Sequence, residues 1–182
     1  VIGQARSTLH FERAMEKSRI VFLNCAKGII GETPAFLMGA LVLARVQAAG
    51  MARARLKPDE RPPFHIVIDE AQNFGPAVIA SLLTEARKFG LSVTLATQFL
   101  SGIDPKVRDA LLSVAKTLVV FQVGDRDAEL LAPEFDRAHQ AFNPYALRQL
   151  GIGQAMIRIS SRGTAQAQVD QSDTPLDRAE IV

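Results

Sequence analysis

Cysteine is all but missing from this chain: Cys25 is the only one. A single thiol excludes an internal disulfide and fits a reducing compartment, and its place in an apolar run predicts a small buried side chain. Histidine is scarce as well. His10, His65 and His139 show no metal-ligand spacing, and no Ser/His/Asp arrangement for acyl transfer accompanies them. Charge of one sign is also lacking, with 21 Lys and Arg against 19 Asp and Glu. A dedicated DNA-binding domain usually carries a clear basic excess, so any DNA contact here must be local. Long hydrophobic runs are absent: the longest, Pro34 to Ala44, is closed by Arg45 and Gln47, well short of the ~20 residues a bilayer span needs. No membrane segment is expected in this piece. The chain opens at Val1 with neither an initiator Met nor a basic-then-apolar leader, and is therefore expected to be part of a longer protein.

What is present is globular material. Hydrophobic residues make up 48% of the 182 and charged residues 22%, which suffices for one core. Four runs, Ile20 to Cys25, Phe64 to Ile68, Leu91 to Ala96 and Leu118 to Val123, are nearly continuous in apolar or β-branched residues, the pattern of strands buried on both faces. Between them, Ala35 to Lys57, Pro76 to Phe89 and Pro105 to Ala115 have helical spacing. Pro76 suits a first helical turn, Val78, Ile79, Leu82, Leu83, Ala86 and Phe89 form one stripe, and Gly90 supplies the stop. Strand and helix alternate, so the expected fold class is α/β, with a mostly parallel sheet covered by helices on both faces. Near the end, Gln154 to Ile159 and Thr164 to Val169 alternate around Ser160 to Gly163 and read as a hairpin on a sheet edge; the tail from Asp170 is polar and unpatterned.

The chemistry gathers where strands end. Phe64 to Ile68 delivers Asp69 and Glu70 at its carboxyl end, the layout of a Walker B element. Ligands of open α/β sheets bind beyond the carboxyl ends of the strands, and a nucleoside triphosphate there needs one carboxylate for Mg²⁺ and a second to activate water. Asp69 suits the metal and Glu70 the water. The plain structural alternative is a pair of acids ending a strand. Leu91 to Ala96 in turn ends in Thr97 and Gln98, and a Gln there can contact the γ-phosphate or the attacking water. Arg87 and Lys88 fall in the last turn of the intervening helix, where cations complement the dipole; an arginine finger is the functional reading of Arg87. Asp125, Asp127 and Glu129 follow a strand and open a helix, where capping is favoured over a metal cluster. Arg45, Arg53, Arg55 and Lys57, and Arg158 and Arg162, are read as solvated helix and hairpin surfaces, with phosphate contact as the alternative.

The string IVIDEAQNF, followed by LLTEARKFGLSVTLATQ, resembles the FtsK-HerA superfamily of P-loop ATPases, in particular those of conjugation and type IV secretion and their HerA relatives. The likeness extends upstream through RIVFLNCAKGIIGE and downstream through VRDALLSVAKTLVVFQVGDRDAELLAPEF. It covers residues 1–170, which it makes the C-terminal portion of a three-layer RecA-like ATPase domain; residues 171–182 are then a polar tail. The resemblance implies Asp69 and Glu70 as the Walker B pair, Gln98 as γ-phosphate sensor and Arg87 as a finger acting on the adjacent protomer. It further implies ATP and Mg²⁺ as cofactors, a hexameric homo-oligomer, DNA and other conjugation or secretion proteins as partners, and a cytoplasmic location extending to the cytoplasmic face of the inner membrane. One part of the family pattern is missing. No G-x-x-x-x-G-K-[ST] string occurs, and the nearest glycine cluster, Ala26 to Thr33, has Glu32 where the phosphate-binding lysine would stand. The fragment by itself is therefore expected to hydrolyse little or no ATP. Two other readings stay open on these residues: a non-catalytic assembly module of the same shape, and a HerA-like translocase that processes DNA ends.

Overall fold

A computed structural model describes residues 9–136, 142–160 and 163–169, and the chain divides after residue 114 into two compact units. The first unit opens with two short helices, α1 (Phe11–Glu16) and α2 (Lys27–Ile30). The apolar run between them, Ile20 to Cys25, carries no strand, contrary to its pattern. Ile20 and Phe22 are 82% and 86% exposed, and Cys25 is half-buried, not buried. A strand persists only where a neighbour takes its backbone hydrogen bonds, and among the described residues none pairs with this run.

Helix α3 (Glu32–Ala52) continues into a 3-10 turn at Arg53–Arg55. Its buried residues, Ala35, Gly39, Leu43, Val46, Ala49 and Gly50, recur at three and four positions and form the face turned to the core. Over Glu32–Arg55 the helix is long and apolar enough to cross a membrane by length and composition. A core helix passes the same test, and this one packs its small-residue face against its own unit: a Cβ at Gly39 would strike the Phe74 ring, and one at Gly50 would meet Leu91. Gln47 on its flank donates to Ser81 Oγ at 2.6 Å.

Strand β1 (Phe64–Ile68), helix α4 (Pro76–Glu85) with a following 3-10 turn (Ala86–Phe89), and strand β2 (Leu91–Leu95) form a βαβ unit. Gly90, at φ +69°, makes the left-handed stop that brings the chain back to the sheet. The strands pair in parallel from Phe64 opposite Leu91 to Ile68 opposite Leu95. Helix α5 (Pro105–Val114) closes the unit. Ile66, Ile68, Leu91, Val46, Ile79, Leu82, Ile103 and Val107 share one buried cluster, with Val78, Leu83 and Phe89 packed on it. Each buried aliphatic side chain contributes about 1.5–3 kcal/mol.

The strands are not covered on both faces as expected. His65, Val67, Ser92 and Thr94 point away from the cluster and are exposed, Val67 at 70%. His65 is satisfied along that face, its Nε2 2.8 Å from Thr94 Oγ1 and its Nδ1 2.9 Å from Ser92 Oγ. At the amino edge of the pair, Arg53 is buried, not a solvated surface residue. Its guanidinium donates to Pro62 O and to Gly90 O. Burial, with repulsion from Arg61 as a second cause, lowers its pKa from the usual arginine value.

The second unit holds an antiparallel sheet in the order β3-β4-β5, from β3 (Thr117–Val120), β4 (Gln154–Ile159) and β5 (Gly163–Gln168), with helices α6 (Asp125–Phe135) and α7 (Tyr145–Arg148). The expected hairpin forms with β4 inside, paired to β3, and β5 at the edge. The chain is thus α/β, but among the described residues the strands lie in a parallel pair and an antiparallel triplet instead of one mostly parallel sheet. Arg158 on β4 is 9% exposed and pairs with Glu134 at 3.1 Å, so it too departs from the solvated-surface reading. Asp125 and Asp127 occupy the first turn of α6; the N-cap is Gly124, without a side-chain cap, and Asp125 pairs with Arg148. Among the described residues no cluster of His, Cys, Asp and Glu could hold a metal by itself. His139, Arg162 and the tail from Asp170 lie outside the described residues.

Candidate functional site

The register of β1 and β2 sets the site. Beyond the strands proper the ladder continues: Ala96 N–H donates to Ile68 O at 2.9 Å, and Ala71 N–H donates to Ala96 O at 2.9 Å. Residues 69–71 and 96–98 are thereby held side by side at the carboxyl edge of the parallel pair. The chain then turns sharply. Glu70 adopts φ 52° and ψ 46°, a left-handed conformation that a β-carbon penalises, and a 3-10 turn over Ala71–Asn73 follows. Asp69 Oδ1 accepts the Glu70 N–H at 2.9 Å, bracing the turn.

Asp69 is exposed and Glu70 half-buried, adjacent at the end of β1. Gln98, exposed at the end of β2, donates its side-chain amide to Glu70 Oε1. These three come together on one rim. Arg87 does not join them. It is exposed in the 3-10 turn after α4, at the opposite, amino edge of the strand pair, where Arg61 Nη1 donates to Lys88 O at 2.5 Å. A strand of five residues separates the edges by roughly 16 Å at about 3.3 Å per residue.

Gln72, to which the sequence did not point, completes the rim. Its side-chain amide donates to the other oxygen of the same carboxylate, Glu70 Oε2, and its carbonyl oxygen accepts from Thr97 Oγ1 at 2.8 Å. The available signal was the polar residues Glu70, Gln72 and Asn73 directly after a buried strand, interrupted only by the buried Ala71. The rejected glycine cluster also reaches this loop: Lys27 Nζ donates to Asn73 Oδ1 at 2.7 Å and pairs with Glu32 at 3.5 Å.

Chemically the rim offers one carboxylate open to solvent and a second held by two amides, one of them from the neighbouring strand. A pocket of about 100 Å³, lined by Gln72, Phe74, Ile103, Asp104 and Val107, lies behind the turn. That is below the several hundred Å³ of sites that enclose a ligand, so a nucleotide-sized molecule would lie on the open rim.

No protein-family model matches the sequence, and no curated protein matches it. Solved structures do share its fold. The plasmid coupling protein TrwB in complex with ADP and Mg²⁺ superposes with a TM-score of 0.63 at 18% identity, over 76% of this chain and 37% of that one. VirB4 of Thermoanaerobacter pseudethanolicus gives 0.50 at 17% identity, over 68% and 35%. The genome-packaging NTPase B204 of Sulfolobus turreted icosahedral virus 2, in complex with AMPPCP, gives 0.51 at 16% identity, over 72% and 62%. The chain therefore spans between about a third and three fifths of these proteins. They are FtsK-HerA-type P-loop ATPases, the group that the sequence resembles, and at these identities the likeness is one of fold.

Proposed function

We propose that this chain carries the water-activating half of an ATP-hydrolysing site in a ring-forming motor of conjugation or type IV secretion, which moves DNA or protein. The observation that carries the reading is the hydrogen bond between Glu70 and Gln98, which joins the carboxyl ends of two adjacent parallel strands. Nucleotides bind beyond such strand ends in open α/β sheets. The fold likeness to proteins solved with ADP and Mg²⁺ or with AMPPCP supports the same ligand class here.

Asp69 suits a magnesium ion. It is a hard oxygen donor, exposed beside the second acid, and Mg²⁺ is usually held by one or two carboxylates with phosphates and waters completing its shell. When bound, the ion would offset charge on the phosphate oxygens. Glu70 holds the attacking water and accepts its proton at a carboxylate oxygen. Gln98, within reach of the same carboxylate, orients the water or contacts the γ-phosphate and couples hydrolysis to β2. Arg87 acts on the nucleotide of a neighbouring protomer. The assembly is a hexamer, its central channel takes the cargo, and it works in the cytoplasm at the inner face of the membrane. The parallel pair β1 and β2 belongs to the larger sheet of a three-layer parent domain.

The test uses the parent protein. Glu70→Gln keeps the shape and removes the base, so kcat should fall about 10²- to 10⁴-fold with ATP binding retained. Hydrolysis at the normal rate would sink the assignment. The rival reading, a non-catalytic assembly module, draws on the missing G-x-x-x-x-G-K-[ST] string; it requires that the unaltered parent protein show no turnover at all. A HerA-like end-processing translocase shares these residues, and co-purification with a nuclease would favour it.

A further inference from the structure

We propose that Gln72 is a positioning residue for Glu70, an inference that rests on the hydrolytic reading given above. Both oxygens of the Glu70 carboxylate accept side-chain amides, Oε1 from Gln98 and Oε2 from Gln72. The two donors differ in origin. Gln98 belongs to the end of β2, whereas Gln72 lies in the 3-10 turn that Glu70 itself begins. A shift between the strands would break the first contact and leave the second.

The Gln72 amide is itself oriented from behind. Thr97 Oγ1 lies 2.8 Å from Gln72 Oε1 and 3.1 Å from Phe99 O, and with a single proton to give it favours the nearer acceptor. A carboxylate can only accept, so one orientation of the amide satisfies both neighbours: oxygen toward Thr97 and NH₂ toward Glu70. Flipped, the amide would set its oxygen against Glu70 Oε2; the Thr97 hydroxyl could turn to Phe99 O and accept the NH₂, but the carboxylate has no proton to offer, so Glu70 decides the orientation. Thr97, Gln72, Glu70 and Gln98 thus form a closed relay across two strand ends.

Glu70 requires such support. Its left-handed backbone is a conformation that persists only where surroundings hold it, and the direction of the side chain projecting from it depends on the partners of its carboxylate. Gln72 supplies that direction. Half of the carboxylate stays anchored while Gln98 is free to exchange its partner for a water or a phosphate oxygen.

The experiment compares Gln72→Met, which keeps length and bulk but loses the amide, with the unaltered parent protein. Misdirecting a catalytic base by about 1 Å lowers turnover up to a hundredfold, so kcat should fall about 10- to 100-fold with KM changed less than about twofold. An unchanged kcat, or a fall matched by a rise in KM, overturns the proposal. A measurement that needs no turnover separates it from the hydrolytic reading: the side-chain amide proton resonances of Gln72 should move in Glu70→Ala. Resonances that stay put sink the Gln72 contact, whatever Glu70 does. Resonances that move, together with a normal rate in Glu70→Gln, sink the hydrolytic reading alone.

Discussion

Glu70 combines two demands, because it must present a carboxylate and also make a turn that glycine makes more easily. The left-handed conformation at φ 52° costs an L-residue about 1 kcal/mol or more. Glu70→Gly should therefore be more stable than Glu70→Ala by about 1 kcal/mol in urea unfolding, although both lose the base. Equal midpoints would mean that the turn is not strained. Arg53 makes the complementary case, a buried cation whose partners are the carbonyls of Pro62 and Gly90 at the amino ends of both strands. Desolvating a guanidinium is unfavourable, but leaving two carbonyls without donors is worse, so Arg53→Ala should cost about 1–3 kcal/mol, read from the unfolding midpoint. Neither residue's environment was legible beforehand. Arg53 stands beside Arg55 and Lys57 in a string that reads as solvent-facing, and only the 3-10 turn after α3 rotates it inward. Gln72 escaped notice for a related reason: its reach to Glu70 depends on a backbone φ that residue types do not announce.

At the scale of elements, α3 governs the site through Phe74. That ring follows the 3-10 turn of the rim and lies over Gly39, where the helix has no side chain. Gly39→Ala would drive a methyl into the ring, and overpacking of this kind costs about 1–3 kcal/mol even though alanine favours the helix. The expected result is a lower melting temperature together with a changed environment for Glu70, whereas Gly28→Ala, with open space around it, should leave the rim alone. Cores of this sort can be read from spacing: the stripe from Val78 to Phe89, over α4 and the 3-10 turn that follows it, packs as its period predicts, and β1 and β2 occupy their apolar runs. Ile20 to Cys25 carries the same apolar signal and makes no strand, because pairing is a property of the neighbour and not of the run. For the same reason the sheet's outer face escaped prediction. A composition rich in valine and isoleucine states that a strand can be covered on both sides, not that it is.

At the scale of the whole molecule, the βαβ unit puts the acid pair and Arg87 at opposite edges of the same strand pair. A parallel pairing requires this, since α4 must carry the chain from the carboxyl end of β1 back to the amino end of β2. With the edges roughly 16 Å apart, Arg87 cannot reach a nucleotide held by Asp69 and Glu70 of its own chain. If it acts on the reaction, it does so across a head-to-tail contact between copies, the kind of interface that closes into a ring. Each variant alone, Arg87→Ala or Glu70→Gln, should then lower hydrolysis by about a hundredfold or more. Mixed assemblies should recover it, because an Arg87→Ala subunit still offers Glu70 and a Glu70→Gln neighbour still offers Arg87. Random mixing in equal amounts restores the intact pairing at roughly one interface in four, so activity should climb toward that fraction of the unaltered rate. Persistent inactivity in rings shown by mass to contain both subunits would remove Arg87 from the mechanism and leave it as a cation beside a helix end.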